Sequence, residues 1–123
     1  MSNNPTIRRA TADDLDSLVR LEQRTFDYSR ISRRNFRRMM QSSSAHFWVV
    51  IEQQNVIAYA IALSRSNSRY WRVYSLAVDM HHRGRGLARA MLEHVIIEAK
   101  KAQCRGLSLE VKSDNRAAIA LYQ

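Results

Sequence analysis

The stretch HHRGRGLARAML (His81–Leu92) places two of the chain's three glycines one residue apart, among Arg83, Arg85 and Arg89. An apolar helical pattern follows at once. A strand that runs into such a turn at a helix start leaves unpaired backbone N–H groups aimed at one place, and the helix dipole adds positive potential there. Gly84 and Gly86 carry no side chain to keep an anion away from those groups. The turn therefore reads as a phosphate cradle. It is not a Walker A loop, which needs four residues between its glycines and then Lys-Ser/Thr. Nor is it a dinucleotide G-x-G-x-x-G, since Arg89 stands where the third glycine belongs.

Other residues with chemical potential are less organised. Arg30, Arg33, Arg34, Arg37 and Arg38 in RISRRNFRRMM share one helical face, opposite Phe36, Met39 and Met40. They can grip phosphate or an acidic partner, or form a solvated face over an apolar seam. His46, His81, His82 and His94 lack ligand spacing and are expected to be ordinary surface or core residues, with no metal site. Cys104 is single, so no internal disulfide is possible, and a buried or half-buried thiol late in a helical stretch is expected.

The elements that must position the glycine turn follow from periodicity. TIRRA is a short strand, and Ala12 to about Phe26 an amphipathic helix opened by a capping-box pair, Thr11 and Asp14. RISRRNFRRMM is a second helix. AHFWVVIE and VIAYAIALSR are strands joined through QQN as a hairpin. YWRVYSLAVD is a strand apolar on both faces toward its end, as a central strand is. A long helix from about Gly84 to Gln103 follows, then a turn at Gly106, the strand LSLEVK and a helix RAAIALYQ that SDN can cap. The order is βααβββαβα, an α/β class with a mixed sheet and a βαβ unit around the glycine turn. The 123 residues suffice for a single domain over 1–123, and the 46% apolar content excludes a disordered chain. No apolar run is long enough to span a membrane, and no signal-peptide pattern opens the chain. The net charge of +9 and pI near 10.6 point to anionic partners.

YSLAVDMHHRGRGLARAMLEHV resembles the acetyl-CoA-binding motif of the GCN5-related N-acetyltransferase superfamily. LEVKSDNRAAIALY resembles the next segment of its ribosomal-protein-alanine N-acetyltransferase branch. Together the segments cover about a third of the chain. The family pattern carries Gln or Arg three residues before the first glycine, where this chain has His81. The resemblance implies the acyl-CoA N-acyltransferase fold, lacking its last two strands, and a C-terminally incomplete domain impaired in transfer on its own. It implies acetyl-CoA as cosubstrate, with backbone groups of Leu76, Ala77 and Val78 along the pantetheine arm. Arg83, Gly84, Arg85, Gly86, Leu87, Ala88 and Arg89 would surround the pyrophosphate.

The same resemblance implies the catalytic groups. Glu110 would be the general base, directly or through water; by strand alternation alone it is also an ordinary outward carboxylate. Tyr122 would protonate the departing thiolate, since a phenol with an ordinary pKa of about 10 keeps its proton at neutral pH. It also fits a core tyrosine with its hydroxyl at the rim. Asn115 can cap the last helix, bond the cofactor arm, or both. The expected acceptor is a protein or peptide amine, such as a ribosomal-protein N-terminus, or a small-molecule amine. The alternatives are a basic module that binds RNA or an acidic partner, and an acetyl-CoA-binding domain without transfer. A cytoplasmic monomer or homodimer is expected.

Overall fold

The computed structural model describes residues 5–26, 31–64 and 70–104, and the backbone of 106–109. Its elements run β1 (Thr6–Arg9), α1 (Leu15–Thr25), α2 (Arg33–Met40), β2 (Ala45–Glu52), β3 (Asn55–Leu63), β4 (Tyr70–Val78), α3 (Leu87–Lys101) and β5 (Gly106–Leu109). The sheet order is β1-β2-β3-β4-β5, antiparallel except for the parallel β4–β5 pair. The mixed sheet and the element order match the expectation as far as β5; the last helix lies outside the described residues.

Both faces of the sheet are covered, which is why β2, β3 and β4 are apolar nearly throughout. On one face Ala58, Ala60, Leu76 and Val78 meet Leu87, Met91, Leu92, Val95 and Ala99 of α3. On the other, Phe47, Val49, Tyr59 and Ile61 meet Leu18, Val19, Leu21 and Phe36 of α1 and α2. A bulge sets the direction of β4. Ile61 opposes Ser75 and Ala62 opposes Val73, leaving Tyr74 as an extra residue. The side-chain phase changes there, so Trp71 and Val73 before the bulge and Leu76 and Val78 after it all face α3.

Three boundaries differ from the sequence expectation, each for a local reason. The helix expected over 12–26 divides into a 3-10 turn (Ala12–Asp14) and α1. Asp14 folds back to accept the Thr11 N–H at 2.8 Å, its own N–H bonds the Thr11 carbonyl, and Arg8 of β1 grips its carboxylate at 2.8 and 3.0 Å. That arginine holds the Asp14 carboxyl below its ordinary range and ties β1 to the helix start. The second helix begins only at Arg33, after Ser32, whose side chain accepts the Asn35 N–H. The third begins at Leu87 and not Gly84, because Gly84 and Gly86 lie in the left-handed region at φ +80° and +76°.

The turn after α3 also moves. Gly106 is the first residue of β5; the reversal is made by Gln103, at φ +63°. Its N–H bonds the Lys100 carbonyl, and the Cys104 N–H reaches back to Ala99 at 2.9 Å. This is a Schellman closure with glutamine in the place glycine usually takes. Cys104 thus lies just past the helix, half-buried against the α3-side core, and burial raises its thiol pKa. Gln103→Gly relieves left-handed strain at the cost of a freer unfolded chain. It should stabilise the protein by about 0.5–1 kcal/mol, read as a higher urea midpoint at unchanged slope.

Candidate active site at the end of the central strand

β4 ends at Val78, and Asp79 turns the chain into a 3-10 turn (Met80–His82) and then the glycines. The two glycines deliver α3 with its first turn bare. Gly86 is its N-cap, and no side chain caps the helix, in contrast to Ser32 on α2. The N–H groups of Leu87, Ala88 and Arg89 therefore have no intrahelical acceptor; the first α-helical bond is Ala90 N–H to the Gly86 carbonyl, 3.0 Å. In front of them lies a cleft of about 250 Å³ lined by Val78, His82, Arg83, Gly84, Gly86, Leu87, Ala88 and Arg89. A Cβ built on either glycine would meet nothing within 4 Å. The glycines are thus set by backbone conformation and by the open space before the helix, not by packing. Bare N–H groups, a helix dipole and the exposed Arg83 and Arg89 fit a pyrophosphate.

Two carboxylates brace this cradle. Asp79 accepts the His81 N–H at 3.2 Å and contacts His82 Nδ1 at 2.8 Å, with Arg24 of α1 at 3.5 Å. Burial raises its pKa, but the hydrogen bonds from His82 and His81 and the Arg24 charge outweigh burial and hold it below the ordinary value. Its N–H also bonds the Ile57 carbonyl of β3. Glu52, at the end of β2, accepts a fork from Arg85 and lies 3.7 Å from His82 Nε2. Arg85 lowers the Glu52 pKa and is itself raised by the pairing. Arg83 Nε donates to the Val78 carbonyl at 3.2 Å.

The sequence-derived positions are therefore distributed as follows. Leu76, Ala77 and Val78 are buried on β4 beyond the bulge and pair with Ala60, Tyr59 and Ala58 of β3. Arg83 and Gly84 through Arg89 gather at the strand's end. The Arg85 guanidinium is the exception, engaged by Glu52 and absent from the cleft lining. Glu110, Asn115 and Tyr122 lie outside the described residues. Asp79 and Glu52 were not among the sequence candidates. Asp79 carried a signal, being a capping residue type directly after an apolar strand; Glu52 carried none. The histidines do structural work: His46 stacks on Trp71 (4.2 Å, 7°) and His94 meets Trp48 edge-on. Burial, with the charge of Arg9, lowers the His46 pKa. Among the described residues no cluster could hold a metal ion, and no helix is long and apolar enough to cross a membrane.

Comparison with known proteins shows the family and the fold. Residues 15–123 match the acetyltransferase (GNAT) family. The [ribosomal protein bS18]-alanine N-acetyltransferase of Escherichia coli is 32% identical over 118 residues, covering 96% of this chain and 77% of that protein. A crystal structure of the Escherichia coli ribosomal-protein-alanine N-acetyltransferase superposes with a TM-score of 0.84 at 31% identity, over 97% of this chain and 74% of that one. The PaiA N-acetyltransferase of Thermoplasma acidophilum, solved in complex with coenzyme A, shares the fold at a TM-score of 0.85 and 14% identity, over 97% and 86% of the two chains. The chain therefore belongs to the acetyltransferase (GNAT) family.

Proposed function

We propose that this chain transfers the acetyl group of acetyl-CoA to the α-amine of a protein N-terminus, with a ribosomal protein as acceptor, in the cytoplasm. The observation that carries the reading is the uncapped start of α3 behind Gly84 and Gly86, in a chain 32% identical to an enzyme named for acetylating a ribosomal-protein alanine. In this reading the backbone of Leu76, Ala77 and Val78 binds the pantetheine arm, and one N–H there polarises the thioester carbonyl. Arg83 to Arg89 hold the pyrophosphate, mainly through N–H groups, and Asn115 adds a contact to the arm.

The neutral amine attacks the carbonyl carbon. The N–C bond forms and the C–S bond breaks. Glu110 takes the proton from the amine nitrogen, directly or through water, and Tyr122 gives one to the departing thiolate. The test is mass spectrometry on two peptides, one with a free N-terminal alanine and one with a blocked N-terminus and an internal lysine. Acetylation of the free α-amine alone is expected. Acetylation of the lysine peptide alone, or of neither, overturns the acceptor assignment. Glu110→Gln and Tyr122→Phe should slow transfer while acetyl-CoA affinity stays nearly unchanged; unaltered rates would remove those two roles.

A further inference from the structure

We infer that the arginine face of α2, continued by Arg20 of α1, is a docking surface for the phosphate backbone of RNA. The inference takes its context from the reading above, a ribosomal-protein acceptor, but stands on separate observations. The α2 sequence RRNFRRMM contains no acidic residue, and Arg33, Arg34, Arg37 and Arg38 are all exposed. Arg33 with Arg37, and Arg34 with Arg38, stack about one turn apart, about 6 Å along the axis. Like charges at that spacing destabilise a helix by a few tenths of a kcal/mol per pair. No carboxylate on α2 offsets them.

Among the described residues, the one carboxylate they share is Asp16 of α1. Arg33 hydrogen-bonds it and holds its pKa below the ordinary range, with smaller contributions from the charges of Arg20 and Arg37. The described residues of the two helices therefore present one continuous surface in which arginines converge on a single carboxylate and outnumber it. Arg34 and Arg38 have no carboxylate partner among the described residues.

The residue type favours phosphate. Only three of the chain's 20 basic residues are lysine, and the guanidinium fork matches phosphate oxygens two at a time. A membrane surface is a poor match, because Phe36 is buried and Met39 and Met40 are half-buried, so α2 offers no exposed apolar side chain to insert. An acidic peptide would normally be fixed by an apolar or aromatic anchor, and this face has none. Charge without an anchor suits recognition of a duplex backbone by shape, with little reading of sequence.

Fluorescence anisotropy with a labelled RNA duplex of about 16 base pairs, titrated at several KCl concentrations, tests the surface. The protein should bind with an affinity that falls linearly in log–log form with salt. Arg34→Gln/Arg38→Gln should weaken binding on the order of ten-fold or more and flatten the salt slope by about two. Polyglutamate and phosphatidylglycerol vesicles should displace the duplex poorly. Three results would each overturn the surface: no salt-dependent duplex binding, a double variant with unchanged affinity and slope, or displacement by either competitor at charge concentrations equal to RNA. Acetyl-CoA affinity, measured on the same proteins, should be the same in both. It reports the cradle separately, so loss of RNA binding alone leaves the acetyltransferase reading standing.

Discussion

Gly86→Val should weaken acetyl-CoA binding by on the order of a hundred-fold while leaving the chain folded. Gly86 sits at φ +76° and ψ +16°, a conformation that costs an ordinary residue about 1–2 kcal/mol and a β-branched one more. The substituted loop escapes that cost by rotating out of the left-handed region, which turns the first N–H groups of α3 away from the cleft. If it does not rotate, the new methyls occupy the open space before those groups, where a Cβ meets no protein atom. Either route removes charge-assisted hydrogen bonds worth about 1.5 kcal/mol each. Two such losses correspond to about a hundred-fold in affinity. Because a Cβ at this position meets no protein atom within 4 Å, α3 should keep its packing through Leu87, Met91 and Val95. Calorimetric titration with acetyl-CoA measures the first effect and thermal unfolding the second. An unchanged affinity would mean that the helix start does not hold the cofactor.

The sequence was readable where local chemistry and periodicity agree. The three long strands and α3 announce themselves by apolar runs and a four-residue repeat, and the glycine pair marks the cradle because few other residues tolerate positive φ. Less readable were places where an unusual residue does a usual job. The β2–β3 hairpin was legible through QQN, but not its turn type: Gln53 and Gln54 form a two-residue turn at φ +51° and +67°, positions that Asn-Gly would advertise. Gln103 closes α3 where glycine would.

Glu52 and Asp79 brace the cradle from separate strand ends, a relation that exists only once β2, β3 and β4 are in register. Arg85 shows the limit of motif reading. It lies within the family motif, and its backbone lies at the cradle. Its side chain is nevertheless engaged by Glu52, 33 positions away in sequence. A motif fixes the path of a backbone more firmly than the target of a long side chain.

Glu22→Ala should destabilise the protein by about 3 kcal/mol, far more than Glu22→Gln. The carboxylate is fully buried between α1 and the sheet. One oxygen accepts the Ile31 N–H at 2.7 Å; the other accepts the Tyr59 hydroxyl, which also lies 3.0 Å from Ser75 Oγ. Burial and then the Glu22 charge raise the Tyr59 pKa well above its ordinary value, so the phenol keeps the proton it donates. Truncation to alanine leaves a buried N–H and a buried hydroxyl short of an acceptor, at about 1–3 kcal/mol each, and opens a cavity beside them.

Glutamine retains an acceptor oxygen and the volume, so its cost should be smaller, about 1 kcal/mol. The pair separates hydrogen bonding from packing. Urea unfolding that shows equal losses for the two variants would mean that the charged carboxylate, not the volume or a single acceptor, holds this junction. The position also has a functional reach. Ile31 leads directly into α2, so the same carboxylate that ties α1 to β3 and β4 fixes where the second helix begins. Loss of the network should therefore loosen the arginine face before it disturbs the cradle on the other side of the core. Hydrogen exchange should report faster opening in residues 33–40 than at the start of α3.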